Sequence, residues 1–312
     1  MKINMTHQAI PVQQLLNALQ KGDKRALARA ISIVENDGEG CQWLLENLNP
    51  SKAVPVIGIT GPPGAGKSTL VSQLATWFTK NKNYKVAILA VDPTSPFTQG
   101  SLLGDRLRMN EHFNNPSVYI RSLATRGALG GLSAKTIEIS DLLKSADFDL
   151  ILIETVGVGQ SEVEIASLAD TTIVVFVPES GDEIQTLKSG IMEIGDLFVV
   201  NKSDREGADR LVRSIQTTLH ERPYQGWTVP VLKTIAMSGE GIGAVAEAIL
   251  DHHSFISATN DKKQRLLYQR AVRLLIQQLV KKQDLKELQQ KLTTASEMPG
   301  FNLYRFLAEY QK

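Results

Sequence analysis

Short apolar runs, separated by polar stretches with helical periodicity, organise most of this chain. Between residues 54 and about 255 the runs are 54–60 (VPVIGIT), 85–91 (KVAILAV), 117–121 (SVYIR), 148–154 (FDLILIE), 171–177 (TTIVVFV), 196–201 (DLFVVN) and 229–235 (VPVLKTI). Each is about the length of a strand, and several are apolar at almost every position. Strands of that kind are buried on both faces, so the pattern predicts an α/β fold: a mostly parallel sheet flanked by helices. Ligands in such sheets bind beyond the C-terminal ends of the strands.

Either side of this region the period changes. Residues 11–47 carry helical stripes, Val12, Leu15, Leu16 and Leu19, then Leu27, Ala30, Ile31 and Val34, with a break at Asp37-Gly38-Glu39-Gly40. After Asn260-Asp261 a long polar helical stretch, 262–293, carries Leu266, Leu267, Ala271, Leu274, Leu275, Gln278 and Leu279 on one stripe, and a final helix is expected over 302–310. The expected division is an N-terminal helical segment (1–48), a central α/β domain (49–257) and a C-terminal helical arm (258–312). The arm either packs on the sheet of its own domain or serves dimerisation or partner contact, because so long a stripe leaves apolar surface to be covered.

Composition narrows the chemistry. With 42% hydrophobic and 21% charged residues, the 312-residue chain can bury a real core. A net charge of +1 offers no general attraction to nucleic acid or to a membrane surface. One cysteine, Cys41, excludes a disulfide framework and fits a reducing cytosol. The first residues lack the apolar core of a signal peptide, and no run approaches the length of a membrane span. A cytoplasmic protein is expected.

The strand 54–60 leads into Gly61-Pro62-Pro63-Gly64-Ala65-Gly66-Lys67-Ser68-Thr69, followed by a helical stretch with Leu70, Val71, Leu74 and Phe78. Strand, G-x-x-x-x-G-K-[ST] and helix together make a phosphate-binding P-loop. Its N–H groups and the helix N-terminus would cradle the phosphates. Lys67 would neutralise the β- and γ-phosphates, and Ser68 would offer its hydroxyl to Mg²⁺.

Asn201-Lys202-Ser203-Asp204 ends a late strand and reads N-K-x-D. The Asp204 carboxylate would accept from guanine N1–H and the 2-amino group, donors that adenine does not present there. A site built to pair a polar group rejects an analogue lacking it. Asn201 would bond the base or hold the loop, and the Lys202 stem would lie over the ring. The expected nucleotide is therefore GTP or GDP. A second base-side loop, Thr234 to Gly241, places the Ala236 N–H where guanine O6 is expected, although Ile235 stands where many GTPases have serine.

Glu154-Thr155-Val156-Gly157 ends the strand 148–154 as E-x-x-G, where most GTPases have D-x-x-G; Glu154 would act on Mg²⁺ and the Gly157 N–H would sense the γ-phosphate. Asp92, at the end of the strand 85–91, and Asp105, in the stretch Gly100–Arg106, are further candidates for the metal side. Lys67, Glu154 and Asp92 form the expected catalytic set. Mg²⁺ keeps several waters, so the carboxylates would act mainly through water. The position after E-x-x-G is Val158, with Gln160 two residues later; none of Arg106, Arg108, Arg121 and Arg126 can be assigned as an arginine finger. Intrinsic hydrolysis is expected to be slow, on the order of 10⁻⁴ to 10⁻² s⁻¹. His7, His112, His220, His252 and His253 show no ligand spacing, which argues against a metal-delivery GTPase, and His252-His253 reads as a helix-end pair in solvent.

These motifs occur in one order: the P-loop, VDPTSP, GSLLGDRLRM, RSLATRGALGG, ETVGVGQSE, EIQTLKSGIME and NKSD. Over about residues 12–255 the chain resembles the MeaB/ArgK family, to which the mitochondrial methylmalonic aciduria type A protein also belongs. The resemblance implies a GTPase chaperone that gates cofactor loading and protects or reactivates an adenosylcobalamin-dependent acyl-CoA mutase, chiefly methylmalonyl-CoA mutase. It also implies a homodimer joined through terminal helices. It assigns Lys67 and Ser68 to phosphate and Mg²⁺, Asp92, Asp105 and Glu154 to the acids around the metal, and Asn201 and Asp204 to the base. The segment Pro178–Glu193, with Asp182 and Lys188, matches a loop used toward the mutase. A metal-delivery GTPase, and a kinase or transport-system NTPase, are the alternatives.

Overall fold

The computed structural model describes residues 11–50, 52–92, 110–112, 114–124, 134–155, 164–178, 190–223, 226–259, 261–281, 285–296, and 302, 303 and 306. Three helices come first: α1 (Val12–Gln20), α2 (Lys24–Glu35) and α3 (Cys41–Glu46). Asp23 caps α2 by accepting from the N–H groups of Arg25 (2.8 Å) and Ala26 (3.0 Å), a side chain satisfying donors that the helix cannot. The two expected stripes are buried at Leu15, Leu16, Leu19, Leu27, Ala30, Ile31 and Val34, and Gly40 in left-handed geometry (φ 82°) starts α3.

The alternating region forms β1 (Val56–Thr60), α4 (Lys67–Asn81), β2 (Val86–Asp92), β3 (Val118–Ala124), α5 (Ala134–Lys144), β4 (Leu150–Glu154), β5 (Thr171–Phe176), α6 (Ile191–Ile194), β6 (Leu197–Val200), α7 (Ala208–His220), β7 (Val231–Lys233) and α8 (Ile242–Thr259). All seven expected strands are present, in one sheet of order β3-β2-β4-β1-β5-β6-β7. Every pairing is parallel. Full burial of β1, β4, β5 and β6 accounts for their largely apolar sequence.

One face is covered by α4 and α8: Leu70, Leu74, Phe78, Val245 and Ile249 join Ile57, Ile59, Leu152, Ile173 and Val199 in a single cluster. On the other face Val174, Phe176, Phe198 and Val200 meet Ile191, Met192, Leu211 and Ile215. Alternate residues of β5 therefore supply opposite layers, as the period of two requires. The chain order crosses the centre of the sheet at β1, with β4 on one side and β5 on the other. Such a reversal opens a crevice at the strand ends.

After α8 in the sequence come α9 (Asp261–Lys281) and α10 (Leu285–Ser296), where one stretch, 262–293, was expected; residues 282–284 lie outside the described set. The chain divides into two compact units, Met1–Leu267 and Tyr268–Lys312. On α9, Leu266 is buried, whereas Leu267, Leu275, Ile276 and Leu279 are each more than half exposed.

One expectation is corrected here. His252 lies within α8 rather than at a helix end, and it is 1% exposed. Its Nδ1 is 2.8 Å from Thr171 Oγ1 and its Nε2 is 3.4 Å from Asp196 Oδ1, while Lys262 Nζ lies 2.6 Å from Asp196 Oδ2. Trp227 lies tilted against the ring, 4.9 Å between centroids, and its Nε1–H donates to the Asp196 carbonyl. Burial pushes the His252 pKa down to about 4, helped by Lys262 and His253 and opposed by Asp196. Helical periodicity alone could not distinguish this polar residue on the inner face from one in solvent.

Candidate functional site

The loop after β1 owes its path to glycine. Gly61 has φ 135°, and a Cβ there would strike the Val175 carbonyl oxygen of β5; Gly66, at φ 86°, would strike the Asn201 side-chain amide. Neither approach is open to a residue with a side chain. Gly66 is the N-cap of α4, so Lys67 and Ser68 are its first two residues and sit where unpaired N–H groups and the positive end of the helix dipole converge. Pro63 and Gly64 are exposed at the tip, Pro62 and Thr69 half-buried, and Ala65 fully buried.

Lys67 is 5% exposed, and its Nζ donates to the carbonyls of Gly61 (2.8 Å) and Pro62 (3.0 Å). The ammonium thus lies within the loop that it would serve. Ser68 Oγ donates to Glu154 Oε1 at 2.6 Å, and both groups are buried. Glu154 is the last residue of β4, in register with Ile59 of β1 and Ala90 of β2. Hydroxyl and carboxylate oxygens held together at the head of α4 are the hard donors that Mg²⁺ prefers, so Ser68 and Glu154 fit the ion.

The base side is built on Asn201, which is 3% exposed. Its Nδ2 donates to the Ala65 carbonyl (2.8 Å), and its Oδ1 accepts from Thr234 Oγ1 (3.1 Å) and from the Ala236 N–H (3.0 Å). Of the two roles open to it, Asn201 takes the loop-holding one, joining the P-loop to the loop after β7. The Ala236 N–H, expected to meet guanine O6, is engaged by Asn201; a guanine would have to share or displace that bond. A second tie runs from the Ser203 N–H to the Thr234 carbonyl (3.0 Å). Lys202 is half-buried in left-handed geometry (φ 55°), and Asp204 is exposed at the turn, open to a base.

Asp92 ends β2 beside Ala124 of β3, which puts its backbone at the same edge of the sheet as Glu154. Asp105, Gly157, Val158, Gln160, Arg106, Arg108, Arg126, Asp182 and Lys188 lie outside the described residues. Arg121 is committed to Glu35 at 2.7 Å. Sequence reasoning missed the side-chain role of Thr234 and a cluster around Ser72. There Ser72 Oγ donates to Glu111 Oε1, and His112 Nε2 lies 2.8 Å from Ser72 Oγ. The helical spacing of Ser68 and Ser72 was a usable signal; the partners, some forty residues further on, carried none.

Known proteins resemble this chain in sequence and fold. The family described as methylmalonyl-CoA mutase-associated GTPase MeaB matches residues 27–293. A protein of Pyrococcus horikoshii named as a GTPase is 43% identical over 279 residues, covering 87% of this chain and 88% of its own. The GTPase ArgK of Escherichia coli is 35% identical over 84% of this chain and 82% of its own. A methylmalonic aciduria type A homolog, mitochondrial, from Caenorhabditis briggsae is 34% identical over 84% of this chain and 68% of its own. A solved structure described as an LAO/AO transport system kinase superposes with a TM-score of 0.69 at 26% identity, over 96% of this chain and 97% of its own.

Proposed function

The chain belongs to the MeaB family of methylmalonyl-CoA mutase-associated GTPases, and on that premise we propose that it is a GTP-binding and GTP-hydrolysing chaperone of an adenosylcobalamin-dependent acyl-CoA mutase, with methylmalonyl-CoA mutase as its first candidate client. The carrying observation is the junction at the head of α4, where Lys67, Ser68 and Glu154 meet on the phosphate side and Asn201 ties that loop to the base side. Conversion of nucleotide state into a conformational signal needs those two sides mechanically joined.

Phosphoryl transfer demands positioning and charge stabilisation rather than covalent chemistry. Lys67 would turn its ammonium from the loop carbonyls to the β- and γ-phosphate oxygens and absorb charge as water attacks in line. Mg²⁺, when bound, would supply further neutralisation, with Ser68 and Glu154, and Asp92 and Asp105 by sequence, as the residues to hold it. The Asp204 carboxylate would select guanine. With no water-orienting group assigned after Glu154, hydrolysis is slow until a partner completes the site. The exposed leucines of α9 support a homodimer in which a second copy covers them.

The test is the GTPase rate of the full chain with and without purified adenosylcobalamin-dependent mutases, with Lys67→Ala as the inactive control. Slow turnover alone and acceleration of about tenfold or more with one mutase is the expected outcome. Rapid multiple turnover by the isolated chain would overturn it. The name of the solved relative, a transport system kinase, motivates a second reading; phosphate appearing on a protein or small acceptor rather than in water would favour it.

A further inference from the structure

Two buried hydroxyls meet where β1 and β4 end. Thr60 is the last residue of β1 and Thr155 the first beyond β4; both are buried, and Thr155 Oγ1 donates to Thr60 Oγ1 at 3.0 Å. The Thr155 N–H donates to the Ile59 carbonyl (3.0 Å), so the β1–β4 ladder, in register at Ile59 and Glu154, runs one residue further. Successive side chains of a strand point to opposite faces. Ile59 belongs to the α4 face, and Glu154 follows it there to reach Ser68. Thr60 and Thr155 therefore point to the other face, with Val174, the register partner of Thr60.

Stability alone does not call for this pair. A buried hydroxyl gives up water and must find a partner, whereas two valines would fill the same β-branched space. Replacing both members of a hydrogen bond by apolar groups of like shape is nearly neutral. What the hydroxyls add is direction and a fixed spacing between two strand ends, and each end leads straight into the site. Thr60 precedes Gly61, whose carbonyl accepts from Lys67, and Thr155 follows Glu154, whose carboxylate accepts from Ser68. We propose that Thr60 and Thr155 are positioning residues of the GTPase site: their hydroxyl pair fixes the start of the P-loop against the Glu154 peptide, so that Ser68 and Glu154 keep the spacing a divalent cation needs. Both act through their chain neighbours, from the opposite face of the sheet. The proposal rests on the GTPase function proposed above.

The experiment measures binding of a fluorescent non-hydrolysable GTP analogue to the full chain as Mg²⁺ is titrated, beside the urea unfolding midpoint. Thr155→Val keeps the side-chain shape and removes the donor. It should raise the Mg²⁺ concentration for half-maximal binding about fivefold, the equivalent of one neutral hydrogen bond, and leave Mg²⁺-free binding within about twofold. Thr60→Val should do the same, and the double variant should go no further than either alone, because both substitutions break one interaction. Thr155→Ser, which retains the hydroxyl, should stay within about twofold of the unmodified protein. The double variant leaves no hydroxyl unpaired, so it should unfold at the unmodified midpoint while still needing more Mg²⁺. An unchanged Mg²⁺ requirement in Thr155→Val overturns the proposal. So does a double variant that regains the unmodified requirement together with the stability, which marks a packing role only. Binding that ignores Mg²⁺ in the unmodified protein removes this proposal and leaves nucleotide binding standing. Absence of any guanine-nucleotide binding removes the GTPase function with it.

Discussion

Helices α4 and α9 carry comparable leucine-rich stripes and meet opposite fates. In α4, Leu70, Val71, Leu74, Ala75 and Phe78 are all fully buried between the sheet and α8. In α9, Leu275, Ile276 and Leu279 remain more than half exposed. Periodicity announces that a helix has an apolar face; it does not say which surface that face will find. For α4 the neighbouring strands supply the answer within the chain. For α9 the cover is proposed to come from a second copy.

The largest effect should separate the two helices by stability. Phe78→Ala is expected to cost about 3–5 kcal/mol, the usual consequence of emptying a close-packed aromatic site, measured by urea unfolding of the full chain. A loss below about 1 kcal/mol would mean that α4 is not the buried keystone its exposure implies.

A slightly smaller effect belongs to the group at the base of α9, where Asp196 receives both His252 and Lys262. Because the His252 pKa is about 4 when folded and about 6.5 in an unfolded chain, the unfolded state binds the extra proton between those values. Stability is therefore fully present above about pH 6.5 and falls as pH drops toward 4, by up to on the order of 3 kcal/mol. Replacement His252→Gln should flatten that dependence in denaturation series at pH 7, 5.5 and 4.5. An unchanged slope would show that His252 is not its source.

The smallest effect on folding should come from α9. Leu275→Ser is expected to leave the unfolding free energy of the monomer within about 0.5 kcal/mol, as surface substitutions do. Sedimentation should nevertheless show a shift from dimer toward monomer. A variant that stays dimeric would remove α9 from the interface and deepen the contrast with α4.

The legible parts of this molecule were those whose chemistry is local. Strands β1, β4, β5 and β6 were readable because a strand buried on both faces has few polar positions to spare. The least accurate was β7, expected over 229–235 and found at Val231–Lys233, an edge strand whose partly exposed residues relax the pattern. The P-loop and the N-K-x-D turn were readable because their backbone geometry demands particular residues in sequence. His252 and the Ser72 cluster were not, since each depends on partners brought near only by folding: Asp196 and Thr171 for one, Glu111 and His112 for the other. The role of Asn201 was half legible. Its motif revealed the turn, but only the register of β1, β6 and β7 shows which of its two tasks it performs.

Asn201 also has a kinetic meaning. One side chain bridges Ala65, Thr234 and Ala236, three points that are far apart in sequence. Under the proposed function, a guanine nucleotide held on both sides of that bridge would not shed its base while keeping its phosphates in a relaxed loop, because the two grips would share a fastening. Residence time would then be set by a single rupture rather than by two independent ones, and whatever strains Asn201 from outside would act as an exchange factor.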